Sequence, residues 1–152
     1  MEKIKIYVRS IIIPVAVGIF IGILTSGFND YQTLEKPFLA PPGFLFPIIW
    51  SILYVLMGVS YGKLKVEGIV DEDTRKIYYT QLLVNALWPI IFFIFKWRFI
   101  AFLWIILLVI LVYKMVTKFT NRNNLAGTLQ IPYLIWTIFA TYLNLFTYIL
   151  NR

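Results

Sequence analysis

Five stretches of this chain carry no charged residue: Ser10–Asn29, Pro37–Gly62, Ile77–Phe95, Phe99–Tyr113 and Asn123–Asn151. About 20 apolar residues cross a bilayer as a helix, so four of the five are long enough outright. The fourth becomes long enough when Lys114 and Lys118 extend their stems along the helix and place their amines at the interface. Runs such as Ile105-Ile106-Leu107-Leu108-Val109-Ile110 do not alternate apolar with polar residues, which excludes the pattern of membrane β-strands. The spacing predicts an all-α integral membrane bundle of five transmembrane helices, at about 7–27, 44–64, 75–96, 98–119 and 127–150, forming one domain over 1–152. Only 14% of the residues are charged, about half the share of a soluble domain, and too little polar surface remains to coat a water-soluble globule. The first run is long for a signal peptide and no small-residue cleavage site follows it, so it is read as a retained membrane helix.

The chain has no Cys and no His, which removes thiolate chemistry, disulfides and the commonest metal ligand. None of its seven acidic residues falls inside a long apolar run. Paired carboxylates, a carboxylate metal site and an intramembrane proton relay are therefore not expected. The net charge of +7 is assigned to membrane edges rather than to nucleic-acid binding. Ten basic residues lie before the first span or in the second and fourth loops (Lys3, Lys5, Arg9, Lys63, Lys65, Arg75, Lys76, Lys114, Lys118, Arg122), against four elsewhere (Lys36, Lys96, Arg98, Arg152). The positive-inside rule then places the N-terminus in the cytoplasm, with the first loop and the C-terminus outside. In the second loop, Asp73 before Thr74 is the expected cap of the third helix.

Three helices present aromatic faces at helical spacing. These are Trp50, Tyr54, Met57 and Tyr61; Gln81, Asn85, Trp88 and Phe92; and Trp136, Ala140, Leu143 and Thr147, with Asn144 beside them. Such stripes are more often packing or interface anchors than ligand walls. Asn85 and Asn144 are read first as hydrogen-bonded glue between helices. The residues alone leave both roles open. Gly18-xxx-Gly22 and Gly58-xxx-Gly62 permit close helix approach, within one bundle or across a dimer. Pro41-Pro42-Gly43 forces a rigid turn before the second helix.

Taken together, certain segments resemble the TspO/MBR family, whose members are also called translocator proteins, tryptophan-rich sensory proteins or peripheral-type benzodiazepine receptors. The segments are Leu34-Glu35-Lys36-Pro37 with Pro41-Pro42-Gly43 and Trp50; Gln81 to Trp88 with Phe92-Phe93; and Pro132 to Trp136 with Phe139 to Asn144. The resemblance implies a five-helix bundle, often a homodimer in a bacterial cell membrane, with a pocket beneath the first loop for porphyrins such as protoporphyrin IX or similar hydrophobic molecules. It implies no required cofactor. Carried onto this chain, the ligand-binding positions are Tyr31, Pro41, Pro42, Trp50, Tyr54, Asn85, Trp88, Phe92, Trp136, Ala140, Leu143 and Asn144. Lys36, Lys96 and Arg98 stand at the pocket mouth, placed to attract propionate groups.

The alternatives are light-dependent porphyrin degradation, with Trp50 and Trp136 as its catalytic residues, and a stress-regulatory membrane protein that acts through partners. One departure is Leu39, where the family usually carries tryptophan. Another is the cholesterol-contact tyrosine of mammalian relatives, whose place is taken by Leu145. The loose match Leu145-x-x-Tyr148-x-x-x-Arg152 is read as interface anchoring.

Overall fold

A computed structural model describes all of residues 1–152. It contains no strand. The helices are α1 (Glu2–Thr25), α2 (Leu45–Val66), α3 (Glu72–Pro89), α4 (Arg98–Arg122), α5 (Asn124–Leu129) and α6 (Ile131–Asn151). Five helical segments are long and apolar enough to cross a membrane, α5 and α6 together forming the fifth. The outward faces are as apolar as the core. Phe20 and Leu24 of α1, Leu83 of α3, Ile110 of α4 and Ile135 of α6 are all exposed. That distribution suits a hydrocarbon solvent, in which only the backbone needs internal hydrogen-bond partners.

Two spans differ from the sequence reading. The fifth, expected as one helix at 127–150, begins at Asn124 and is interrupted at Gln130. Pro132 stands at the start of α6 and has no N–H to give a preceding turn, so the chain restarts there as a new helix. Asn123 caps α5 by accepting from the Ala126 N–H at 3.1 Å. The third span stops being regular α-helix at Pro89. A π-turn over Ile90–Ile94 follows, closed by Phe95 N–H donating to the Ile90 carbonyl at 3.0 Å. Missing the proline N–H, the helix widens there, and the wider turn sets the positions of Phe92 and Phe93. The cap of α3 is Asp71, not Asp73: the Asp71 carboxylate accepts from Thr74 N–H at 2.8 Å. Asp73 falls in the first turn of the helix instead.

Helix α1 packs along α2, and α2 meets α5; α4 lies against α3, α5 and α6. The glycine pairs serve the α1–α2 seam. A Cβ on Gly58 would strike the Ile11 backbone and stand 2.6 Å from the Ser10 carbonyl, and one on Gly62 would press the Tyr7 ring at 2.8 Å. On α1, Gly18 leaves room for the Tyr54 ring, which a Cβ would meet at 2.5 Å. Three of the four glycines are thus consumed within the bundle. Gly22 is the exception: a Cβ there meets nothing within 4 Å.

The core holds polar side chains as well as apolar ones. Tyr54 OH donates to Asn85 Oδ1 at 2.6 Å, Asn85 Nδ2 donates to Tyr133 OH at 2.7 Å, and Tyr133 OH donates to Gln81 Oε1 at 2.7 Å. This chain ties α2, α3 and α6 at mid-depth. Away from the first loop, Tyr61 and Tyr78 stack with ring centroids 4.0 Å apart, and Phe119 packs beside both.

Candidate functional site: a cavity beneath the first loop

Gly22 borders open space because α1, α2, α3 and α6 do not close on one another at the first-loop end. They surround a cavity of about 790 Å³, within the range of small-molecule pockets. Its walls come from the faces read in the sequence. Trp50 and Tyr54 on α2 stack with centroids 5.6 Å apart. Trp88 on α3 stacks on Phe92 of the π-turn at 4.8 Å, and Phe93 meets Phe92 edge to face at 4.8 Å. Ala140, Leu143 and Asn144 line the α6 side, and Asn85 stands beside Tyr54.

The roof is the first loop. Tyr31, Gln32, Ala40 and Gly43 line the cavity. Tyr31 is fixed from two directions: its OH donates to the Pro41 carbonyl, and its ring meets Phe46 edge to face at 5.0 Å. The loop is pinned elsewhere too. Asn151 Oδ1 accepts from Glu35 N–H at 3.0 Å while Asn151 Nδ2 donates to the Glu35 carbonyl at 2.8 Å. Tyr142 OH donates to the Phe38 carbonyl.

Of the residues anticipated as ligand-binding, Tyr31, Trp50, Tyr54, Asn85, Trp88, Phe92, Ala140, Leu143 and Asn144 border this one cavity. Pro41, Pro42 and Trp136 do not. Pro41 acts through its carbonyl, which holds Tyr31, and Pro42 accepts the Leu45 N–H at 3.1 Å at the start of α2. Trp136 lies behind Trp50, edge to face at 6.4 Å, and borders a shallow apolar hollow between α2 and α6 with Ile49, Leu53 and Phe139. Leu39, at the position of the family's loop tryptophan, has φ 73° and is 66% exposed. It is not among the residues lining the cavity, and its backbone sits in the left-handed region that side chains rarely adopt.

The α1 wall escaped sequence reasoning. Val15, Gly18, Ile19, Gly22 and Ile23 border the cavity, and the available signal was the Gly18-xxx-Gly22 spacing, which marks a face with no side chain to fill it. Asp30 was also missed. Its two carboxylate oxygens each lie 2.7 Å from an Arg98 guanidinium nitrogen, and Lys96 Nζ lies 3.2 Å from one of them. The two cations expected to await a ligand therefore hold a residue of the chain. Lys36 is occupied as well, with its amine 3.1 Å from the Leu34 carbonyl and 4.8 Å from the Tyr31 ring centroid. Partial burial pushes the Asp30 carboxyl up, but hydrogen bonds from Arg98 and Lys96, with their charges, outweigh it and hold the group below the usual carboxylate value. Burial raises the Tyr31 hydroxyl, which stays protonated as the donor to Pro41.

Asn144 joins this rim to the wall. Trp88 Nε1 donates to Asn144 Oδ1 at 2.9 Å, and Asn144 Nδ2 donates to the Arg98 carbonyl at 2.9 Å. Asn85 and Asn144 thus combine the two roles the sequence left open: each bridges helices and each borders the cavity. The site contains no cluster of His, Cys, Asp or Glu that could hold a metal ion. Its chemistry is that of a large, mostly apolar chamber with flat aromatic faces, four amides (Asn29, Gln32, Asn85 and Asn144) and a charged rim.

Comparison with known proteins places these features in a family. A model described as the TspO/MBR family matches residues 10–149. Protein CrtK of Rhodobacter capsulatus is 34% identical over 135 residues, covering 86% of this chain and 83% of the relative. The tryptophan-rich protein TspO of Archaeoglobus fulgidus is 33% identical over 147 residues, covering 95% of each chain. The translocator protein of Homo sapiens is 30% identical over 138 residues, covering 85% of this chain and 80% of the relative.

Proposed function

We propose that this chain, which belongs to the TspO/MBR family of membrane proteins, is a receptor or transporter-like protein that binds a porphyrin such as protoporphyrin IX in the cavity beneath its first loop. The observation that carries this reading is the aromatic lining. A flat macrocycle gains most from stacking and apolar contact, and Trp50, Tyr54, Trp88 and Phe92 supply ring faces around one chamber of about 790 Å³. Asn85 and Asn144 offer amide groups to a polar edge. No cofactor is required for binding.

The test is a titration of detergent-solubilised protein with protoporphyrin IX, followed by tryptophan quenching. Saturable quenching that weakens in Trp50→Phe supports the reading. Quenching that is absent, or indifferent to that change, removes it.

A second reading is light-dependent porphyrin degradation. It is favoured by the placement of Trp50 on the cavity wall with Trp136 6.4 Å behind it. The bound pigment, excited by light, would be oxidised by dissolved dioxygen, whose oxygen atoms end in the opened macrocycle, with Trp50 against the ring and Trp136 behind it as a one-electron relay that returns to its starting state. Illumination of the complex tests this. Pigment loss no faster than that of free porphyrin ends the reading.

We infer from the distribution of basic residues that the protein resides in a bacterial cell membrane with its N-terminus cytoplasmic and its first loop and C-terminus outside. A homodimer is part of the same proposal. Its seam would not be made by Gly18, Gly58 or Gly62, whose open sides are filled by α1–α2 packing.

A further inference from the structure

Two cations and one anion meet at the rim of the cavity. Arg98 and Lys96 both converge on Asp30, leaving a surplus positive charge. Asp30 and Arg98 adjoin the lining, and Lys96 reaches it through Asp30, 3.2 Å away. Asp30 lies between Asn29 and Tyr31, both of which border the cavity. The Arg98 guanidinium carbon stands 4.9 Å from the centroid of the Phe92 ring, and its main-chain carbonyl is held by Asn144. Arg98 Nε is buried and has no hydrogen-bond partner, so the guanidinium retains a donor that Asp30 does not use. A guanidinium fork suits a carboxylate better than a single amine does.

We propose that Arg98 and Lys96 form a carboxylate-binding rim for the cavity ligand, and that Asp30 is its internal occupant. The proposal rests on the reading of the cavity as a porphyrin site and adds a selection rule to it. A ligand bearing carboxylates exchanges with Asp30 on Arg98 and Lys96. The displaced Asp30 then no longer ties the start of the first loop to the start of α4. An uncharged ligand of the same shape leaves Asp30 where it is. Selectivity for the acid over the ester accordingly resides in Arg98 and Lys96, while Asp30 competes against the acid.

The experiment measures binding of protoporphyrin IX and of its dimethyl ester to the solubilised wild type and to Asp30→Asn, Arg98→Gln and Lys96→Met. Asp30→Asn is expected to raise the preference for the diacid over the ester by roughly fivefold, the scale of a partly exposed ion pair. Arg98→Gln and Lys96→Met are expected to lower that preference, weakening the diacid more than the ester. Ester affinity also reports folding, so a variant that loses both ligands is judged through the other two. Equal shifts for acid and ester across the folded variants would overturn this proposal and leave the porphyrin site standing. Failure of the wild type to bind either ligand would overturn both.

Discussion

Trp50 and Trp136 meet edge to face at 6.4 Å, yet only Trp50 borders the cavity; Trp136 borders the hollow between α2 and α6 on the far side. The two indoles form a wall two rings thick. Trp50→Phe is expected to reduce the ligand-dependent quenching, of which Trp88 supplies a further share, and to weaken porphyrin binding by roughly fivefold, the loss of about 1 kcal/mol as the smaller phenyl ring replaces the indole. Trp136→Phe should change affinity by no more than about threefold, through looser support of Trp50. Side-by-side titrations of the two variants check this, and equal losses would contradict the geometry.

The α1–α2 seam gives a stability prediction. Gly58 faces the backbone of Ser10 and Ile11, which cannot rotate away as a side chain can. Gly58→Val should lower thermal stability in detergent, by roughly 1–3 kcal/mol. Gly22→Ala should leave folding intact, because its Cβ enters the cavity rather than a neighbour. Thermal unfolding curves of the two variants distinguish them.

The five spans were legible because lipid demands long uncharged runs, and the three aromatic faces were legible because helical spacing puts those residues on one side. What was not legible came from elsewhere. The α5–α6 break depends on how Gln130 and Pro132 meet the bundle, and hydropathy is blind to it. The α1 wall consists of glycines and aliphatic residues that read as ordinary membrane helix until α2 stands beside them. Trp136 shares a face with Ala140 and Leu143, but the Trp50 ring lies between it and the cavity, so spacing alone overcounted the lining. Asp30 and Arg98 are 68 residues apart, and nothing local predicts that they meet.

The polar chain through Asn85 yields a third prediction. Asn85→Leu removes the acceptor of Tyr54 OH and the donor to Tyr133 OH. Interhelical hydrogen bonds in membranes contribute about 1 kcal/mol each, and the orphaned Tyr54 hydroxyl adds a desolvation cost. Adding Tyr54→Phe to Asn85→Leu should recover part of the loss, because the unpaired hydroxyl is gone. Urea or thermal unfolding of the single and double variants measures the recovery.

Acid should loosen the first loop. The Asp30 carboxyl titrates below its unfolded value, so its ion pair stabilises the closed loop at every pH above about 4. That contribution is lost as pH falls through the lowered value. Protection of the amides of residues 29–36, measured against their intrinsic exchange rate at each pH, should fall in that acid window in the wild type. In Asp30→Asn the protection should be low already at neutral pH, without the acid step.

A structure of the protein with protoporphyrin IX bound tests the porphyrin site at its source. Macrocycle density is expected in the chamber bounded by Trp50, Tyr54, Trp88, Phe92 and Ala140, beneath Tyr31. Density confined to the membrane-facing surface, with that chamber unchanged, would contradict it.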